Sequence, residues 1–168
     1  MRIVAYPRDR ATRHLELRVP DNWRDLADES ALGLWPEEGK SSLHLSFRRH
    51  DFGPGLVPHL MGQADRLLAD AAAKLGLGPV FGHGAMVLRE PSGREPVIGP
   101  TGVPSPDVVF LIKVHAVGNG RFHQMSYILH QESVVLATFL CRDEHRWTGP
   151  LDDALRILSS IEIFGRLH

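Results

Sequence analysis

Residues 107–142 read DVVFLIKVHAV GNG RFHQMSYILH QE SVVLATFLCR. Three runs rich in β-branched and aromatic residues are separated by two short polar breaks, which predicts three consecutive antiparallel strands over 107–117, 121–130 and 133–142. Asn119-Gly120 is the strongest hairpin signal in the chain, because both residues tolerate the positive φ of a type I′ turn. With those two as the loop, Gly118 pairs with Arg121, Val114 faces Met125, Ile112 faces Tyr127 and Phe110 faces Leu129. The next turn, near Gln131-Glu132, brings Val134, Leu136 and Leu140 onto the same face. That face is continuously apolar and is the natural seat for a helix. The opposite face carries Val109, Leu111, Lys113, His115, Phe122, Gln124, Ser126, Ile128, Val135, Ala137, Phe139 and Cys141, a mixture of large apolar and polar groups. A slip of one residue would exchange the two sets.

Upstream, the period changes. Leu60, Ala64, Leu67, Leu68, Ala71 and Leu75 fall at helical spacing, predicting an amphipathic helix from about Val57 to Leu75, with Gly76 as its stop. Before it, alternation at residues 14–19, a short apolar run at 31–35 and alternation again at 41–48 predict an antiparallel meander, since the connections are too short for parallel crossovers. Val80 to Arg89 reads as a strand interrupted by Gly82 and Gly84. The proline-rich stretch from Glu90 to Pro106 reads as a long loop. A second helix is predicted from about Pro150 to Ser159, with Leu151, Ala154, Leu155 and Leu158 buried and Asp152 and Asp153 complementing its dipole. An extended segment at 161–164 closes the chain. The expected fold is therefore α/β (α+β): a single antiparallel sheet of about six strands with two main helices packed on it, in one domain spanning residues 1–168.

The chain has 168 residues, enough for one full core, with 43% hydrophobic and 23% charged residues. A formal net charge of -1 argues against nucleic acid as the main partner. No stretch approaches a membrane span, and the arginine-bearing start lacks the apolar run of a signal peptide. The single cysteine, Cys141, forms no internal disulfide and fits a reducing compartment. These features lead to the expectation of a cytoplasmic protein.

Chemistry-bearing patterns are sparse. The ten histidines show no close ligand pair at metal-motif spacing and no His-Glu-x-x-His run. His115 and His123 fall on opposite faces in the hairpin register. Cys141 with His145 is the one thiol nucleophile pairing available, and it keeps open the alternative of a small hydrolase or of a metal-binding enzyme using the histidines. Cys141 near the end of a strong strand reads more simply as a small buried hydrophobe. There is no nucleophile elbow, phosphate-binding loop or dinucleotide fingerprint. Gly53-Pro54-Gly55 and Gly82-His83-Gly84 read as turns, and Trp23, Trp35 and Trp147 as core or rim anchors. No catalytic residue, metal or cofactor is expected.

The stretch Leu15-Glu16-Leu17-Arg18-Val19-Pro20-Asp21-Asn22-Trp23 resembles the opening of PsbP-like and DcrB-like proteins, whose fold is shared with the Ran-binding Mog proteins. The segment 42–47 before one long helix, the strand start Gly120-Arg121-Phe122-His123-Gln124, and the ending Leu158-Ser159-Ser160-Ile161 are similar too. The nearest bacterial branch is that of the effector-associated chaperones of type VI secretion, non-enzymatic dimers that shield apolar effector segments. The resemblance implies a non-enzymatic protein-binding module, a chaperone or adaptor, able to form a homodimer. The proline-rich stretch 90–106 departs from that pattern. Two readings of the mixed sheet face stand open: the second helix or the proline-rich stretch covers it, or Phe122, Gln124, Ser126, Ile128, Phe139 and Lys113 are the residues that meet the partner or a second copy.

Overall fold

The computed structural model describes residues 1–7, 13–48, 53–89 and 108–165. Among these, ten strands form two sheets rather than the single six-stranded sheet expected. In chain order they are β1 (Arg2–Tyr6), β2 (His14–Val19), β3 (Trp23–Ala27), β4 (Leu32–Pro36), β5 (Ser41–Arg48), β6 (Phe81–Arg89), β7 (Val109–Gly118), β8 (Arg121–His130), β9 (Ser133–Cys141) and β10 (Glu162–Phe164). Helices α1 (Leu56–Leu75) and α2 (Thr148–Ser159) follow β5 and β9. The larger sheet runs β3-β4-β5-β9-β8-β7-β6 and the smaller β1-β2-β10, with every pairing antiparallel. The expected loop over 90–106 lies outside the described residues.

The central hairpin has the register that its turn chemistry dictates. Gly118 pairs with Arg121, Val114 with Met125, Ile112 with Tyr127 and Phe110 with Leu129. Asn119 and Gly120 sit at φ 49 and 72. The apolar face so created, with Ile112, Val114, Ala116, Tyr127 and Leu136, packs under Leu56, Leu60, Ala64, Leu68 and Ala72 of α1. These five residues recur every fourth position and so form one stripe on the helix. Tyr127 donates its hydroxyl to Gln63 Oε1 at 2.8 Å, satisfying the one polar atom that this ring takes beneath the helix.

Of the meander expected at the N-terminus, only β4 and β5 pair as foreseen, and β3, which was not foreseen, adds beside β4. Residues 14–19 alternate as foreseen, but β2 leaves the main sheet. It pairs with β1 on one side and β10 on the other. This small sheet buries Val4, Leu15, Leu17, Val19 and Ile163 against the second face of the large sheet, beside Leu151, Ala154, Ile157 and Leu158 of α2. The molecule is thus three-layered, with α1, the seven-stranded sheet, and then the small sheet with α2. On α2, which begins at Thr148, Asp152 and Asp153 lie beyond the first turn, so the expectation that they complement its dipole is corrected; Asp153 instead pairs with Arg156 at 3.3 Å. Gly82-His83-Gly84 is not a turn but a bulge inside β6, where the register shifts between Phe81 and Gly84.

Candidate binding face

The six residues expected at a partner contact do share one face, and the structure fills that face from within. Phe122, Gln124, Ser126, Ile128 and Phe139 are each at most 2% exposed. Phe122 stacks on Trp147 with ring centroids 3.9 Å apart and lies 6.1 Å from Phe139. Lys113 alone is half-buried, its stem running past Gly84 at the edge of the sheet. The expectation of an open face is therefore corrected. The polar atoms that made internal burial look unfavourable are partly paired with each other: Gln124 Nε2 donates to Ser126 Oγ at 3.0 Å, while Gln124 Oε1 has no partner. The cover includes Trp147, which precedes α2, and α2 itself, which packs on β9, as one of the two readings of this face foresaw; the short strands β1 and β10, which the sequence does not announce, belong to the same layer.

The other candidate chemistry is not assembled. Cys141 is buried at 1% exposure on the inner face, opposite Phe122. The His145 side chain is 86% exposed and lies 3.5 Å from Glu144. His115 and His123 are on opposite faces as expected, opposite Gln124 and Ala116 respectively. Among the described residues no group of three or more His, Cys, Asp or Glu side chains could hold a metal ion.

Among the described residues, what remains open is the half of the large sheet farthest from α1. The helix packs chiefly on β7 and β8 and shares its apolar cluster with Val134 and Leu136 of β9. The same face continues outward over β9, β5, β4 and β3, because residues directly opposite in antiparallel strands share a face. One row across it is His123, Leu140 and Ser42, and the next is Met125, Thr138, His44 and Gly33. Trp35 and Arg24 extend the first row onto β4 and β3. The rings of His44 and Trp35 close over Gly33: a Cβ there would lie 3.4 Å from His44 and 3.5 Å from Trp35. Glycine at this position leaves the two rings room to lie against the backbone. Leu26, on the same face of the edge strand, is 66% exposed. Trp35, His44, Leu140, Lys40 and Arg142 line a cleft of about 280 Å³.

His123 stands at the inner margin of this face. It is 5% exposed, neither ring nitrogen has a partner among the described residues, and burial together with nearby His44 lowers its pKa to about 4. At neutral pH it is an uncharged imidazole with both nitrogens unsatisfied. At the end of the face three cations stand abreast on neighbouring strands. The Arg142 amide donates to the Lys40 carbonyl at 2.8 Å, and Arg121 follows opposite Arg142, one step beyond the Phe122–Cys141 pair. None of Lys40, Arg121 and Arg142 forms an ion pair among the described residues. Arg24 is different, 3.6 Å from Glu37. The open face was not singled out beforehand, although the alternation of Ser42, His44 and Ser46 with Leu43, Leu45 and Phe47 carried its signal.

The described architecture is that of the PsbP-like fold. The chain is similar to the cyanobacterial PsbP (CyanoP) of Synechocystis, with a TM-score of 0.56, 14% identity, and coverage of 96% of this chain and 92% of that one. It is also similar to LpqN of Mycobacterium tuberculosis, a protein involved in cell envelope biogenesis, with a TM-score of 0.49, 15% identity, and coverage of 97% and 92%. A Bacteroides thetaiotaomicron protein matches with a TM-score of 0.45 and 10% identity, over 92% of this chain and 46% of its own. No protein-family model and no curated protein sequence matches the chain. Among the described residues no helix is long and apolar enough to cross a membrane.

Proposed function

We propose that this chain is a non-enzymatic protein-binding module of the cytoplasm that folds as one domain, and that its partner docks on the open half of the seven-stranded sheet. The observation that carries the reading is the face of β3, β4, β5 and β9, where Leu26, Trp35, His44 and Leu140 are gathered with no covering element among the described residues. Aromatic groups in a concave, partly apolar setting are the usual anchors of protein interfaces. The chemistry an enzyme would need is dispersed, with Cys141 sealed inside and His145 in solvent. The finer form of the proposal is a secretion-associated chaperone or adaptor that shields an apolar segment of its partner, working as a homodimer; the sequence resemblance to type VI secretion chaperones supports it. The test is cross-linking in the native extract with a photoreactive residue placed at Leu26, followed by mass spectrometry. A stoichiometric adduct that is lost in Trp35→Asp supports the reading. Adducts equal in number and kind for wild type and Trp35→Asp would sink it.

A further inference from the structure

We infer that the segment received on this face is acidic and extended, with two carboxylates followed by a large apolar or aromatic side chain. This deepens the protein-binding reading above and rests on it. The cations carry the argument. Arg121, Arg142 and Lys40 occupy adjacent strands at one level of the sheet, and none has a counter-charge among the described residues. Like charges placed side by side on neighbouring strands repel and destabilise the sheet. The chain has 20 Asp and Glu residues, yet no described one pairs with these three cations.

Geometry sets the pattern of the occupant. Neighbouring strands lie about 4.8 Å apart, so the step from Arg121 across Arg142 and Lys40 to the strand of Trp35 is roughly 14 Å. Alternate side chains of an extended peptide are about 7 Å apart. Two carboxylates separated by one residue therefore span the three cations, and an apolar side chain two residues further on reaches the strand of Trp35. An acid-x-acid-x-aromatic segment crossing the strands satisfies both ends. His123 supplies an independent sign that a polar ligand belongs here. It is one row in from the cations and 5% exposed, and both of its ring nitrogens lack a partner among the described residues. A buried imidazole without a hydrogen bond is costly unless something external supplies one. The triad is too local for nucleic acid, which needs a larger basic surface.

The experiment uses the full chain and a displayed library of random dodecamer peptides. The library is selected in parallel on wild type, on the triple variant Lys40→Glu, Arg121→Glu, Arg142→Glu, and on Trp35→Ala. Far-UV circular dichroism and thermal melts check that the variants keep the fold. Peptides enriched on wild type are expected to carry paired Asp or Glu beside an aromatic or large aliphatic residue. In fluorescence anisotropy their binding should weaken at least ~tenfold in the triple variant and several-fold between 50 and 300 mM salt. Enriched peptides without acidic residues, or binding indifferent to the triple variant, would overturn the acidic-segment proposal while leaving a protein-binding face in place. No enrichment above background would overturn both. Phosphatidylglycerol vesicles and inorganic phosphate serve as the remaining arms. Binding of either that matches the peptides and depends on the same three cations would replace the proposal with an anionic headgroup or phosphate site.

Discussion

The side-chain amide of Asn119 donates a 3.1 Å hydrogen bond to the carbonyl of Leu75, so the β7–β8 turn caps the C-terminus of α1. Two short segments 44 residues apart are joined here. The Gly78 amide adds a bond to the Val117 carbonyl at 3.0 Å. Asn119 thus has two roles, adopting positive φ in the turn and satisfying one of the carbonyls that a helix end leaves without an intrahelical partner. Asn119→Asp keeps the turn but sets a carboxylate against the carbonyl. It is expected to lower stability by about 1–2 kcal/mol, seen as a drop of a few degrees in Tm. An Asp variant as stable as wild type would show that the bond contributes nothing.

Gly82 carries a different constraint. Its φ is 67, and a Cβ built there would fall 1.9 Å from His115 Cε1. The imidazole lies over the bulge, held edge-on to Phe81 and against Phe122 and Trp147. Gly82→Ala should cost about 2–4 kcal/mol, from left-handed strain plus displacement of the ring. Combining it with His115→Ala removes the clash, so a double-mutant cycle should return a favourable coupling energy of about 1 kcal/mol or more. Simple additivity in urea denaturation would contradict this account.

The β8–β9 turn is formed by Gln131 at φ 47 and Glu132 at φ 58, a type I′ conformation occupied by two residues that it does not suit. Glu132→Gly relieves one of them and should raise stability by about 1 kcal/mol, read as a higher urea midpoint at unchanged slope. Arg13 limits the gain, because it feels the charge of Glu132 and donates to the Gln131 carbonyl at 2.7 Å.

His123 makes stability depend on pH. Its pKa falls from 6.5 in the unfolded chain to about 4 in the fold. Above pH 6.5 neither state protonates it and stability is full. Between 6.5 and about 4 the unfolded chain takes up a proton that the folded chain refuses, so stability declines as pH falls, by up to about 3 kcal/mol. Burial lowers His130 and His115 as well, adding in the same direction. His123→Leu should flatten the urea midpoint between pH 4 and 6.5. A midpoint that falls as steeply in the variant would place the effect elsewhere.

Phe122 is 0% exposed and stacked on Trp147. Phe122→Asp buries a carboxylate without a partner and leaves a cavity, costing more than about 4 kcal/mol. The expected outcome is loss of the cooperative melt and of near-ultraviolet dichroism, not a folded monomer with impaired binding. Trp35→Asp, on the open face, should melt within about 1 kcal/mol of wild type.

The sequence by itself determined what is local. Asn119-Gly120 has positive φ available at both positions, so it set the register of β7 and β8 and with it the composition of both sheet faces. The i, i+4 stripe of α1 and its stop at Gly76 were equally legible, since helical spacing and a left-handed glycine are properties of a few adjacent residues. Even the assignment of Cys141 to the interior could be read from its strand. Tertiary structure alone decided what covers each face. The alternation in β2 is the same whether the strand extends the meander or leaves it for a second sheet, because a period of two reports one buried side and not the identity of what buries it. β1 and β3 escaped notice, being five residues each with charged members. The functional expectation was inverted: the layer of the small sheet and α2, with Trp147 stacked on Phe122, enclosed Phe122, Gln124 and Phe139, while α1, packed chiefly on β7 and β8, left Trp35, His44 and the three abreast cations open among the described residues. Which surface is free depends on contacts between segments more than 100 residues apart, such as β2 with β10, and no local pattern encodes them.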